Sequence, residues 1–287
     1  MKSRHDPAWL EAQYNNRALV ADHAAVLSSW AQASALVREA CPCLLDVPYG
    51  DGAGETLDLF PAPAAAGPAP VLVFIHGGYW RSLDKADHAF IAPSFTADGA
   101  LVVVPNYALC PAVSIEHIVM QLARAVAWVW HHAAEHGGDP SRIALVGHSA
   151  GGHLATMLLG CRWKQIDDTL PPQPLAGALS ISGLYDLEPL RHTPFLQTDL
   201  KLTPASVARL SPAFFPRPKA GKLYAAVGLD ESDEFRRQNG LIRDVWGPTA
   251  VPVCETVPSC NHFTVLKGLA DPAGRLHTLA LRLLGLR

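Results

Sequence analysis

The pattern of hydrophobic and polar positions divides the chain into two unequal parts. From about residue 7 to residue 40 the apolar residues (Trp9, Leu10, Leu19, Val26, Leu27, Trp30 and Leu36) are scattered anchors in a polar background. This predicts a helical N-terminal arm, residues 1–40, packed on a main domain of residues 41–287. Glu55–Phe60 alternates polar and apolar like an outer strand, and the Pro/Ala tract from Pro61 to Pro70 reads as a surface connection because it cannot form a regular helix. Thereafter short apolar runs recur at Val71–Ile75, Leu101–Val104, Ile143–Val146, Ala178–Ile181 and Leu223–Val227, with a less uniform sixth at Val251–Glu255. Runs without alternation are expected of strands buried on both faces of a parallel sheet. Helical stretches separate them. The clearest is Ser114–His136, with Ile118, Leu122, Val126, Val129 and Ala133 on one face, stopped by Gly137-Gly138-Asp139-Pro140. The alternation predicts a doubly wound α/β domain.

Composition narrows the partners. A chain of 287 residues that is 49% hydrophobic and 17% charged has ample material for a large core. A formal charge of −3 and the lack of a Lys/Arg run give no case for nucleic acid. The start is basic and then polar, without a signal peptide's apolar stretch, and no window approaches a membrane span. The expectation is a cytoplasmic protein without membrane or nucleic-acid partners, acting on a small molecule; a homo-oligomer is left open. Six cysteines in apolar or turn contexts read as reduced thiols, and Cys41-Pro42-Cys43 is too tight for a zinc knuckle. His131, His132 and His136 lie at a helix end without a third ligand in view, which favours capping or solvation over a metal site.

Chemistry concentrates where strands end. Gly147-His148-Ser149-Ala150-Gly151-Gly152 follows the run Ile143–Val146 and opens a helical segment. A serine on such a strand-to-helix turn is thrust above the sheet, and the new helix points N–H groups toward its oxygen. His76-Gly77-Gly78-Tyr79-Trp80 follows the run Val71–Ile75. Its glycines would let backbone N–H groups approach a substrate carbonyl, so Gly77, Gly78 and Tyr79, with Ala150 beside the nucleophile, are the candidate oxyanion donors. His76 is read as a structural brace. A base belongs after the last strand, where His262 stands in Ser259-Cys260-Asn261-His262-Phe263, while His277 in the terminal helical pattern is expected on the surface. An acid belongs after the run Leu223–Val227, and spacing leaves both Asp230 and Glu231 open.

Gly138–Ile143 leading into Gly147–Gly152 resembles the hormone-sensitive-lipase-like esterases of the α/β-hydrolase fold. His76–Trp80, Ser182–Leu187 and Glu231–Gln238 are similar to the kynurenine formamidase (arylformamidase) branch. The resemblance runs from about residue 45 to the end. It implies nucleophile Ser149 and base His262. The family's acid, an Asp in arylformamidases, falls on Glu231, a departure that keeps the carboxylate but adds a methylene. It also implies aromatic surface from Tyr79 and Trp80 beside the oxyanion loop. The stretch from Tyr185 to Pro212, rich in Pro, Leu and Phe, reads as the insertion that shapes the pocket, with Tyr185 as a wall, and a lid role is left open for it and for the N-terminal arm. No cofactor is called for. The implied activity is hydrolysis of an aryl formamide such as N-formylkynurenine, or of a short-chain or aryl carboxylic ester. The alternative from another class is a non-catalytic binding protein on the same fold.

Overall fold

The computed structural model describes residues 6–52, 54–63 and 67–287. The first five residues of the arm and residues 64–66 of the Pro/Ala connection lie outside these. Eight strands form one sheet in the order β1-β2-β4-β3-β5-β6-β7-β8. They are β1 (Leu44–Pro48), β2 (Thr56–Phe60), β3 (Ala69–Ile75), β4 (Leu101–Pro105), β5 (Gly138–His148), β6 (Leu175–Ile181), β7 (Lys222–Gly228) and β8 (Val253–Val257). β2 runs antiparallel to both its neighbours, and all pairs from β4 to β8 are parallel. This is the α/β-hydrolase arrangement.

The buried runs explain the middle of the sheet. β3 and β4 are buried at every position, and β5 from Ile143 onward. Alternate side chains feed two cores. Val71, Val73, Ile143 and Leu145 meet Leu122 and Val126 on one face, while Leu72, Phe74, Ala144 and Val146 meet Phe95, Leu276 and Leu279 on the other. Several sequence boundaries move, among them the start of β6, at Leu175 rather than Ala178. β3 begins at Ala69, because Ala69 already pairs with Gly138. The helix ends at His132, and a short 3₁₀ turn and left-handed Gly137 then lead straight into β5. β8 starts two residues later than the apolar run suggests.

β1 has no counterpart in the apolar pattern. Leu44 and Leu45 are exposed, and a register shift between Leu44 and Val47, with Asp46 at φ 56°, breaks the alternation.

The arm is three helices: α1 (Pro7–Tyr14), α2 (Asn16–Leu19) and α3 (His23–Ala40). Asp6 caps α1 through Trp9 N–H, and Asn15 ends it and caps α2 through Ala18 N–H. Charge and hydrogen bonds pin the arm at both ends. Tyr14 Oη donates to Glu234 at 2.9 Å, and Glu234 N–H donates to Gln13 Oε1 at 3.1 Å. Buried Lys85 donates to Asp46 at 2.6 Å and Asp58 at 2.5 Å, and Arg38 of α3 pairs with the same Asp58 at 3.5 Å. Between them Trp30 stacks on Phe90 at 5.8 Å. Two further helices pack on the sheet: α4 (Ala92–Ala97), which carries Phe95, and α5 (Ile115–His132).

Candidate active site

At the end of β5 the backbone turns sharply into α6 (Ala150–Leu159), with Ser149 at φ 57°, ψ −119°. A non-glycine residue in that conformation costs on the order of 1–3 kcal/mol and persists only where its surroundings enforce it. They do so here through close backbone contact. A Cβ on Gly147 would lie 2.1 Å from the Gly151 carbonyl oxygen, and one on Gly151 would lie 2.0 Å from that of Ile75. Only glycine lets β5, α6 and β3 approach this closely.

Ser149 Oγ stands 3.0 Å from Nε2 of His262, which lies in the loop after β8. Nδ1 of the same ring stands 2.6 Å from Glu231 Oε2. Glu231 is buried, and its other oxygen accepts from Ser182 Oγ at 2.5 Å and Gly228 N–H at 2.7 Å. These donors fix the orientation of the carboxylate. Asp230 is exposed and not within reach of the imidazole among the described contacts. The choice that spacing left open falls on Glu231. Burial separates the two: Glu231 is buried and Asp230 is exposed.

The loop after β3 lies alongside. Gly77 packs under the elbow, with space for a Cβ only 3.1 Å from Ser149 Cβ. Gly78 (φ 98°) and Tyr79 (φ 50°) line the cavity that opens over Ser149. Ala150 occupies the first position of α6, where an N–H has no carbonyl of its own helix to bond. His76 is wholly buried below, in contact with the Gly77 carbonyl (2.9 Å) and Asn106 (3.2 Å) and stacked on Tyr107 at 4.2 Å; burial lowers its pKa.

Two expected pocket residues do not reach the cavity. Trp80 is 0% exposed, edge-on to His153 at 5.0 Å. Its backbone is also left-handed, at φ 56°, and it turns down into the core while Tyr79 faces the site. Tyr185 is equally buried, its hydroxyl bonded to Ser180 Oγ at 2.8 Å. Of the 185–212 stretch, Phe195 reaches the cavity instead. His277 is not a surface residue either. It is fully buried against Phe95 at 4.2 Å, with Asp98 and the Leu269 carbonyl on its two nitrogens. His131 pairs with Asp167, and His132 with Glu135; no cluster able to hold a metal occurs among the described residues.

The cavity holds about 440 Å³. The arm supplies one wall of it, through residues that the sequence did not single out: Asn16, Arg17 and Trp30, beside Tyr79, Phe195 and Phe263 from the main domain. The available signal was Asn15-Asn16-Arg17, a polar break directly after the apolar anchors of α1. His148 also lines it. Its Nε2 contacts the His262 carbonyl at 2.8 Å, and burial together with the His262 ring drives its pKa well below the usual histidine value. His148 is therefore neutral, and it steadies the loop that carries His262.

Residues 57–184 match the BD-FAE family model. Kynurenine formamidase of Danio rerio is 33% identical over 86% of this chain and 84% of its own length. The Salmo salar protein of that name is 34% identical over 84% and 82%. The chain belongs to the kynurenine formamidase-like family of α/β-hydrolases. Among solved structures, one from Silicibacter sp. TM1040, provisionally described as a thioesterase, superposes with a TM-score of 0.80 at 29% identity, covering 93% of this chain and 97% of that one. An esterase from Pyrobaculum calidifontis shares the fold, with a TM-score of 0.70 at 18% identity over 91% of both chains. Membership makes this chain a hydrolase, and no helix among the described residues is long and apolar enough to cross a membrane.

Proposed function

We propose that Ser149, His262 and Glu231 are a catalytic triad that cleaves an aryl formamide of the N-formylkynurenine kind. One observation carries the reading: an unbroken chain of contacts at 3.0 and 2.6 Å links Ser149 Oγ to His262 and His262 to a buried, fully bonded carboxylate. Ser149 Oγ attacks the formyl carbon as its proton passes to His262 Nε2. Glu231 holds the tautomer with Nδ1–H and balances the imidazolium. The N–H groups of Gly78, Tyr79 and Ala150 stabilise the oxyanion. The intermediate collapses when His262 returns the proton to the departing arylamine nitrogen. Water, deprotonated by His262, then releases formate and restores the serine.

The aromatic walls of Trp30, Tyr79, Phe195 and Phe263 suit a flat leaving group, which supports an aryl substrate. A second reading, a short-chain or aryl carboxylesterase, draws on a carboxylic ester hydrolase of Mycobacterium tuberculosis that is 39% identical over 116 residues. Steady-state kinetics on N-formylkynurenine beside short nitrophenyl esters separates the two. Formamide turnover with kcat/KM at or above that of the esters is expected; negligible formamide turnover leaves the esterase. Fluorophosphonate labelling tests the shared core, and absence of an adduct on Ser149 in folded protein removes both.

A further inference from the structure

The openings on the two sides of His262 differ in charge. The cavity over Ser149 is lined by Arg17 and Arg81, and by no Asp or Glu. A separate groove of about 330 Å³ on the other side is lined by Asp22, Asp230 and Glu231. Asn16 and His262 border both. Within the cavity the two cations are not equivalent. Arg81 is committed to Asp199 and the Phe195 carbonyl. Arg17 makes no ion pair among the described residues and donates only to Ser82 Oγ, at 3.3 Å. Next to it Asn16 is 5% exposed, and its Nδ2 has no hydrogen-bond partner among the described residues. A buried donor without an acceptor costs free energy that a bound acceptor recovers. The arm that carries both is held in place: Tyr79 Oη donates to the Tyr14 carbonyl at 2.6 Å, three residues before Arg17.

We propose that Arg17 and Asn16 bind a carboxylate on the leaving portion of the substrate, making the N-terminal arm the element that selects anionic substrates. Arg17 supplies charge and paired N–H donors, and Asn16 supplies a neutral donor from the wall. The aromatic surfaces hold the ring between that carboxylate and the acyl group at Ser149. The acidic groove repels the same ligand, so productive entry is confined to the cavity over the nucleophile. This deepens the hydrolase reading and rests on it, although it does not depend on whether the bond cleaved is an ester or a formamide.

The test uses the full chain and four substrates: a phenyl ester and a formanilide, each with and without a carboxylate-bearing side chain. The quantity read is the kcat/KM ratio of the charged to the neutral compound within each pair. The wild-type protein is expected to prefer the charged compound by roughly tenfold or more, mainly through KM, as expected for charge-assisted hydrogen bonds. Arg17→Gln should bring the ratio near one, and Arg17→Lys should restore part of it. A wild-type ratio near one, or a ratio unchanged in Arg17→Gln, overturns the proposal. Preference within the ester pair alone, with inert formamides, upholds the proposal and rejects the formamidase reading. If nothing turns over, titration of the carboxylate-bearing arylamine still decides: tenfold weaker binding to Arg17→Gln supports the site, and equal binding refutes it.

Discussion

The elbow and the arm meet over one cavity but are built on different principles. The elbow is local. Ser149, His262 and Glu231 each sit in a short turn at the end of a parallel strand, and the sheet register brings those ends together. The arm has no such frame and is placed by distant contacts, through Tyr14 to Glu234 and through Arg38 to Asp58. On the proposed reading, reaction chemistry lies in a part of the molecule that is hard to displace, and substrate contacts lie in a part held by a few bonds. Damage to the elbow should remove turnover while leaving stability nearly intact. Damage to the arm should cost stability or KM first.

The sharpest separation is expected from Ser149→Ala. Loss of the nucleophile should lower kcat/KM by at least about 10⁴-fold, with residual rate from the oxyanion donors alone. Thermal unfolding should stay within a few degrees of wild type, because alanine keeps the Cβ and the same left-handed backbone. Stopped turnover accompanied by collapse of the fold would mean that the elbow is not independent of the core. Glu231→Gln should follow, with a loss on the order of 10²–10⁴-fold in kcat, because the amide cannot balance the imidazolium. Asp230→Asn is its control and should stay within about twofold. Equal losses in the two variants would return the acid to the undecided state in which spacing leaves it.

Beneath the arm, in the ion cluster that receives Arg38, the largest effect should come from Lys85→Met. It leaves Asp58, which is 0% exposed, without the ammonium that stands 2.5 Å away. Breaking a buried pair from one side costs about 3–5 kcal/mol, measurable by denaturant unfolding. Turnover of the fraction that remains folded should change far less than in Glu231→Gln.

Acid should act on both regions together. Burial drives His88 down to about 3 and His153 down to about 4. The unfolded chain then binds protons that the folded chain refuses, so these groups cost nothing above about pH 6.5 and destabilise progressively below it. Between pH 6.5 and 5 each should remove roughly 2 kcal/mol. A melting temperature that stays flat over that interval would contradict their neutral burial.

The contrast also explains what the sequence made legible. Ser149, His262 and the loop at Gly77 could be found because strand, turn and helix follow each other in order and glycine marks close approach. Trp80 and Tyr185 were misassigned, and His277 was expected outside, because the direction of a side chain in a left-handed loop or on a partly apolar helix depends on tertiary neighbours. Arg17, Asn16 and Trp30 escaped as lining of the cavity for the same reason. Their place over Ser149 rests on contacts some 65 to 220 positions away in the chain. β1 was invisible because its leucines face solvent and a bulge interrupts its period.

Tyr79→Phe gives the smallest effect and joins the two regions. Tyr79 lines the cavity over Ser149, while its hydroxyl holds the Tyr14 carbonyl at 2.6 Å. Phenylalanine keeps the ring and the backbone N–H and removes only that bond, worth about 0.5–1.5 kcal/mol net. In a chain of this size that is a melting shift of about 2–4 °C per kcal/mol. The kinetic split carries more information than the shift. If the bond only fixes the arm as a wall, KM should rise a few-fold with kcat unchanged. If it also holds the left-handed turn that aims the Tyr79 N–H, kcat should fall too, for ester and formamide alike. The arm's separate origin favours the first outcome. A fall in kcat alone would mean that the arm contributes to the oxyanion site itself, and the division between chemistry and recognition would have to be redrawn at Tyr79.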